Sequence, residues 1–341
     1  MDNPAMIRIR SLIPILKQLL PLAYSAQKYG RELSVVKDRT ASIRRNDLLA
    51  FVVLRNEAVR IPYFLSYYRK LGVKHFLFID NASDDHFMAI ISEQADCSVW
   101  HTNASYKDAK YGVHWLNHLL KKYGCGHWCL TLDPDEFLIY PHCDSRTLTE
   151  LTAYLDQEGK ASFFSIMLDM YPEGNIDQAH YRAGENPLSV CPWFDGTGYY
   201  QDKRPNYGEW WLRGGVRRRA FFADQPWQAP ALNKTVLVKW RWYYGYIAST
   251  HIVWPNFLNR PHFHDTLAPT GCLLHFKYLA LLRDKVEEEM QRQQHYAGSR
   301  EYQRYLDGLN SQQTLWTSAS TQFRNWQQCV ELGLMNVGRW F

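Results

Sequence analysis

The chain has 341 residues, a length that predicts one large α/β domain with additions. Its net charge of +5 is too mild for a dedicated nucleic-acid binder, so we expect no nucleic-acid partner. The seven cysteines form no regular disulfide or zinc pattern, which favours reduced thiols and a cytoplasmic location. We expect neither a secretory signal nor a transmembrane helix, because no apolar run approaches the ~20 residues that a span requires.

Residues 1–46 form a basic segment with apolar residues at helical spacing. Pro14 and Pro21 divide any helix there into pieces. The segment predicts either peripheral contact with an anionic membrane surface, such as the inner membrane face, or a helix packed on the domain with a solvated basic side. Vesicle flotation of a chain lacking residues 1–46 distinguishes the two, because unchanged partitioning contradicts membrane contact.

A catalytic domain is predicted at residues 47–282, with a nucleotide-binding half at 47–170. Apolar runs at 48–54, 75–79, 97–101 and 128–132 alternate with amphipathic stretches. This alternation is typical of an open, mostly parallel sheet flanked by helices. In such sheets, ligands bind at the carboxyl ends of the strands.

Three polar clusters fall at these predicted strand ends, and we expect them to form one site. They are Arg55-Asn56-Glu57, Asp80-Asn81 and Asp133-Pro134-Asp135. In extended chain, Asp133 and Asp135 point the same way, and Glu136 is adjacent. Carboxylates crowded at a strand end suit Mg²⁺ or Mn²⁺. The alternative is a solvated acidic turn, which the apolar runs on both sides argue against.

The nucleotide-binding half ends with a predicted helix at 148–155 and a strand that stops near Asp169. Residues 171–270 are rich in aromatic side chains, and the short runs GVRRRAFF and TVLVKW predict a β-rich insertion. Flat aromatic faces could hold an acceptor sugar, or most of them could form a small core. A strand at 271–277 and a helix at 278–294 follow, and residues 283–341 are predicted to be a helical extension.

Four motifs in this order resemble the bacterial family 2-like glycosyltransferases of the GT-A fold. They are VLRNEAVRIPYFLSYYRKLGV, FIDNASDD, LTLDPDEFL and GCLLHFKYL, and the resemblance covers roughly residues 48–300. It implies transfer of a sugar, with inversion, from a nucleotide-diphosphate donor, a UDP-sugar above all. The acceptor would be a hydroxyl of a saccharide or of a lipid-linked saccharide. Pro134 departs from the family pattern, in which a small residue is commoner.

The resemblance also implies roles for individual residues. Arg55, Asn56 and Glu57 would border the nucleotide, and Asp80 and Asn81 would read its base or ribose. Asp133 and Asp135 match the DxD motif, with Asp135 the expected direct metal ligand. His275 would complete the metal shell, and Lys277 would lie near the diphosphate.

Chemistry alone adds further candidates. Arg217 and Lys234 are expected diphosphate contacts, although both could equally be surface charges. An inverting transferase needs a carboxylate base to deprotonate the acceptor hydroxyl. Asp169 is the first candidate for this base, followed by Glu209 and Asp224.

Three other functions compete with this prediction. A phosphotransferase could use Asp133 as nucleophile, but Glu136 and the late position of the strand disfavour it. A nucleotidyltransferase needs a Gly-rich loop after the first strand, where VLRNEAV has no glycine. A carbohydrate-binding protein could use the aromatic block alone.

Overall fold

The computed structural model describes residues 18–204, 209–247, 249–259, 267–292, 304–305 and 314–340. Its strands are β1 (Ser34–Lys37), β2 (Leu48–Leu54), β3 (Val73–Asp80), β4 (Cys97–His101), β5 (Trp128–Thr131), β6 (Glu136–Ile139), β7 (Ser162–Asp169), β8 (Trp193–Phe194), β9 (Tyr200–Arg204), β10 (Glu209–Arg213), β11 (Asn233–Lys239), β12 (Gly245–Tyr246), β13 (Val253–Trp254), β14 (Gly271–His275) and β15 (Thr321–Gln322). Its helices are α1 (18–30), α2 (Ile61–Lys70), α3 (Phe87–Ser92), α4 (Val113–Leu119), α5 (Leu148–Gln157), α6 (Leu281–Arg292) and α7 (Trp326–Glu331).

A nine-stranded sheet organises the molecule, in the order β1-β4-β3-β2-β5-β11-β7-β14-β6. The neighbours β4, β3, β2 and β5 are parallel, and β7 and β14 are parallel to each other. Since β11 is antiparallel to both β5 and β7, these six strands all point the same way. The predicted α/β class with a mostly parallel open sheet is therefore confirmed.

Successive residues of β2 show why the sheet is covered on both faces. Ala50 and Val52 belong to the apolar core that includes residues of α2, α3 and α5. Leu49 and Phe51 belong to the core on the other side, with α4. A continuous apolar run is what a strand buried on both faces requires. The carboxyl ends of the strands stay uncovered by these two helix layers.

The aromatic region differs from its prediction in two places. Residues Arg217–Phe221 of GVRRRAFF form a π-helical turn, not a strand. Gly214 and Gly215 have φ of 153° and 60°, which end the extended conformation before the arginines. The run TVLVKW does form a strand, β11, but it lies inside the central sheet between β5 and β7.

The predicted helical extension also differs from its prediction. In the described residues after 283, the strand β15 occurs beside the end of α6 and the short α7, so this part is not helical throughout.

Helix α1 packs against α4 through aromatic and glycine contacts. The rings of Tyr29 and His114 stack with centroids 4.7 Å apart. Gly30 allows the helices to touch, because a Cβ there would lie 2.1 Å from Nδ1 of His118. Leu20 and Tyr24 stay 65% and 69% exposed. Residues 1–17 lie outside the described part, so membrane contact through residues 1–46 stays a prediction.

Within the described ranges, no helix combines the length and the apolarity that a membrane span needs.

Docking of α1 should depend on pH through His114. This side chain is 6% exposed, and burial, with Lys110 and Lys28, lowers its pKa to about 4. In the unfolded chain the pKa of His114 is about 6.5, so the unfolded chain binds the proton first as the pH falls. The stability that the buried, neutral His114 contributes is therefore complete above about pH 6.5 and is lost toward pH 4. We expect His114→Gln to flatten the decline in unfolding free energy between about pH 6.5 and 4, measured by urea denaturation. Parallel curves for His114→Gln and the surface control His180→Gln would contradict this.

Candidate active site

A cavity of about 250 Å³ lies where the strands of the central sheet end. Its lining includes the following residues of the sequence prediction: Arg55, Glu57, Asn81, Asp133, Asp135, His275 and Lys277. These residues come from chain segments more than two hundred positions apart. They meet because β2, β3, β5 and β14 all point toward this edge.

The turn between β5 and β6 holds two carboxylates in different surroundings. The backbone N–H of Asp133 donates to Oε2 of Glu136 at 2.9 Å, which closes the turn. The side chain of Asp133 is 55% exposed, whereas that of Asp135 is 16% exposed. The carbonyl of Asp135 accepts from the N–H of Phe276 at 2.9 Å, which ties the turn to the end of β14. Asp135 is therefore the inner of the two carboxylates.

Asp135 stays ionised despite its burial. Burial raises its pKa, but His275, Arg60 and two lysines outweigh that effect and lower the pKa to about 2. The cavity consequently presents a fixed negative charge at neutral pH. A carboxylate so placed is ready to bind a cation.

Asp169 and Arg217 fix the orientation of His275. Arg217 donates to both oxygens of Asp169, at 3.0 and 2.7 Å. Burial raises the pKa of Asp169, but Arg217 and His275 hold it well below its usual range. Asp169 can therefore only accept, so Nδ1 of His275, 2.6 Å away, carries the proton. Nε2 of His275 then faces Oδ2 of Asp135 at 3.6 Å.

This arrangement fits a divalent cation held by two protein ligands. Metal–ligand bonds of about 2.0–2.1 Å place neighbouring ligand atoms about 3 Å apart and opposite ligand atoms about 4 Å apart. The distance of 3.6 Å between Nε2 of His275 and Oδ2 of Asp135 lies between these two values. A carboxylate behind the imidazole is the usual support of a metal-binding histidine. Across the described ranges, no group of three or more His, Cys, Asp or Glu side chains could hold a metal. Asp135 and His275 would thus need oxygens from a ligand or water to complete the shell.

A second buried ion pair lies under the turn. Nζ of Lys234 lies 2.7 and 2.5 Å from the two oxygens of Glu136, and both side chains are fully buried. Burial lowers the pKa of Lys234, but Asp133 and Glu136 outweigh burial and raise it. Nζ is also 3.6 Å from Oδ2 of Asp133. Lys234 therefore joins β11 to the turn.

Helix α6 covers the cavity. The sequence predicted a helix here but not its position over the cavity. Its residues Lys285 and Glu288 form ion pairs with Glu57 and Arg55 respectively, the latter at 2.7 Å. More than two hundred positions separate the partners of each pair, and only the amphipathic pattern after β14 announced the helix. The position of α6 over the first strand could not be derived from that pattern.

Arg60 and Lys277 add positive charge to the same cavity. Arg60 is buried, lies 2.8 Å from Oε2 of Glu57 and donates to the carbonyl of Phe276 at 3.0 Å. The ammonium of Lys277 lies 4.0 Å from the ring centroid of Tyr305. Arg60 was not among the predicted site residues, because an arginine in an amphipathic helical motif usually lies on the solvent-exposed side.

The structure favours different roles for Arg217 and Lys234 from the predicted diphosphate contacts. Both are buried and bound to carboxylates, and neither lines the cavity. Asn56 and Asp80 also lie off the lining. Asn56 receives the N–H of Asp84 at 3.0 Å, and Asp80 binds Nδ1 of His101 at 2.9 Å, so both shape the loops beside the cavity.

Two of the three base candidates, Asp169 and Asp224, also lie off the cavity lining. Both oxygens of Asp169 are engaged, which favours positioning of His275 over proton abstraction. Asp224 is 61% exposed and paired with Arg304 at 2.7 Å. Glu209 begins β10, and its side chain lies outside the described part.

Comparisons with known proteins leave the function open. No protein-family model and no curated protein matches the chain. Among the solved structures that match, 4-diphosphocytidyl-2C-methyl-D-erythritol synthase covers 51% of this chain and 78% of its own, at 12% identity and a TM-score of 0.25. A TM-score this low establishes no common fold, so the α/β assignment depends on the sheet described above.

Breaking the buried ion pair should destabilise the protein strongly. Lys234→Met leaves Glu136 buried without its partner, and we expect a loss of about 3–5 kcal/mol in unfolding free energy. Lys239→Met is the matched control on β11, because its pair with Asp156 is exposed and worth about 0–1 kcal/mol. Urea denaturation measures both. The Lys234→Met/Glu136→Gln double variant should recover part of the loss, and equal stabilities of the two single variants would contradict the assignment.

Proposed function

We propose that this protein is a metal-dependent glycosyltransferase. It would move a sugar from a nucleotide-diphosphate donor, a UDP-sugar above all, to a hydroxyl of a saccharide or lipid-linked acceptor. The observation that carries the proposal is the pair formed by Asp135 and the oriented His275. Mn²⁺ or Mg²⁺ is the expected cofactor, since these ions combine few protein ligands with phosphate oxygens.

The charge balance of the cavity supports a bound cation and diphosphate together. Among the described residues, five basic and four acidic side chains line it. The side chains alone thus supply about one net positive charge, too little for a diphosphate. A divalent ion, when bound, would supply the missing charge and stabilise the leaving diphosphate as a Lewis acid.

The cavity's own residues would then divide the remaining work. Lys277, at the end of the segment that carries His275, supplies a cation beside the diphosphate. Asn81 and Arg55 lie at the ends of the first two parallel strands, where a nucleoside would bind in an open α/β sheet. For the donor to reach Arg55 and Glu57, their ion pairs with α6 would have to loosen.

A nucleotidyltransferase is the closest competing function, because it uses the same metal and nucleotide chemistry. The two differ in their products: a glycosyltransferase releases UDP from a UDP-sugar, whereas a nucleotidyltransferase releases pyrophosphate from UTP. A carbohydrate-binding protein would bind sugar without either release. Trp227 and Trp242, 64% and 68% exposed, are among the aromatic side chains available to such a protein.

Nucleotide binding should require both the metal and Asp135. We expect UDP, titrated calorimetrically with Mn²⁺, to bind the wild-type chain and to lose at least tenfold in affinity with a chelator or in Asp135→Ala. The reason is that Asp135 would hold the ion, whose charge would offset that of the diphosphate. Asp156→Ala, which removes an exposed carboxylate, is the matched control and should bind like wild type.

Three outcomes would contradict the proposal. UDP binding that is insensitive to chelator and to Asp135→Ala would remove the metal site. Sugar binding without any metal-dependent binding of UDP or GDP would favour the carbohydrate-binding function. Release of pyrophosphate from UTP, in place of UDP from UDP-sugars, would identify a nucleotidyltransferase.

A further inference from the structure

A second cavity, of about 450 Å³, is separate from the one that holds Asp135. Its lining combines two guanidinium groups, a carboxylate, two hydroxyls and glycine backbone. The polar side chains are Asp195, Thr197, Arg218, Arg219 and Thr317. A volume of this size falls within the range of pockets that hold small ligands.

The second cavity adjoins the first through the π-helical turn Arg217–Phe221. Arg217 lies 3.4 Å from Nδ1 of His275, which lines the first cavity. The next two residues of the turn, Arg218 and Arg219, line the second. One turn of backbone therefore contacts a lining residue of the first cavity and lines the second, which places the second beside the proposed reaction centre.

One wall of the second cavity is preorganised by the pair Asp195–Arg219. Arg219 donates to the two oxygens of Asp195 at 2.8 and 3.0 Å and to the carbonyl of Leu315 at 2.8 Å. The hydroxyl of Tyr171, two residues beyond Asp169, donates to the same carboxylate at 2.5 Å. The charges of Asp195 and Arg219 cancel, and both groups are fixed in position.

Arg218 leaves the cavity with an excess of positive charge. Its guanidinium lies 4.2 Å from the ring centroid of Tyr200, a residue that is 52% exposed. In the part of the chain that the structure describes, Arg218 has no carboxylate partner within ion-pairing distance. Stacking on a ring holds the planar fork in place while its N–H groups stay available to an oxyanion.

Glycines bring the two halves of this cavity together. Gly214 has φ of 153°, and a Cβ there would lie 2.5 Å from the carbonyl of Gly198. Gly214 thus packs against Gly198, and both Gly198 and the next glycine, Gly215, line the cavity.

We propose that this second cavity binds a sugar that carries an anionic substituent, a carboxylate or a phosphate, paired with Arg218. Threonine hydroxyls and glycine peptides would bind its hydroxyls. That this sugar is the acceptor rests on the proposed function. The binding itself does not, so it is tested without nucleotide or metal.

Ligand-detected NMR titration of the full chain provides the test. Methyl β-glucuronide and glucose 6-phosphate should bind about tenfold more tightly than the neutral methyl β-glucoside, the usual scale of a charge-assisted hydrogen bond. Arg218→Gln should remove this preference. Thr197→Glu, an exposed position at the same cavity, should also remove it by adding a negative charge, and provides a second variant if Arg218→Gln misfolds. The matched control is Arg45→Gln, at an exposed arginine elsewhere.

Each remaining outcome would overturn the proposal. Equal binding of charged and neutral sugars would remove the role of Arg218, and so would a preference retained in both variants. Inorganic phosphate that competes fully with glucose 6-phosphate at equal concentration would show an anion site without sugar recognition. Glucuronide binding that is lost together with UDP binding in Asp135→Ala would place the sugar in the first cavity and not in the second.

Discussion

The buried carboxylate of Asp169 is the constraint on which the candidate site depends. A carboxylate removed from water is costly unless it is paired and hydrogen-bonded. Arg217 and His275 meet this requirement from two other segments of the chain, the π-helical turn and β14. The orientation of His275 toward Asp135 is a consequence. The charge that stabilises the packing of these segments also sets the geometry of the site.

The pair Glu136–Lys234 likewise fixes the position of the turn between β5 and β6, which carries Asp133 and Asp135. It is fully buried, and Oε2 of Glu136 also receives the N–H of Asp133. Removing either partner would leave an uncompensated charge below the two aspartates. Two buried ion pairs therefore hold the turn and the histidine at a fixed separation, while the exposed Asp133 stays available to a ligand.

The fold was largely predictable because its signals are local. The run LLAFVVL is strand β2 over the same residues, and CSVWH is β4, since a strand buried on both faces needs an uninterrupted apolar stretch. The rule that ligands bind at carboxyl strand ends was enough to bring Arg55, Asn81 and Asp135 to one cavity. No pairing had to be known for either step.

The rest depends on pairings between distant segments. RRRAF resembles a strand by composition, but the inward turn of Arg217 and the positive φ of Gly214 make it a π-helical turn. Lys234 resembles a phosphate ligand until its contact with Glu136 is seen. The ion pairs of α6 with Arg55 and Glu57 join residues more than two hundred positions apart, and a single sequence carries no signal for them.

The central claim, that Asp135 and His275 together bind a divalent ion, is tested most directly by anomalous scattering. Crystals soaked with Mn²⁺ and UDP should show a manganese peak within about 2.5 Å of both Oδ2 of Asp135 and Nε2 of His275, bridged to the diphosphate. The peak should be absent in Asp135→Ala. A peak elsewhere, or UDP bound in the cavity without manganese, would contradict the account.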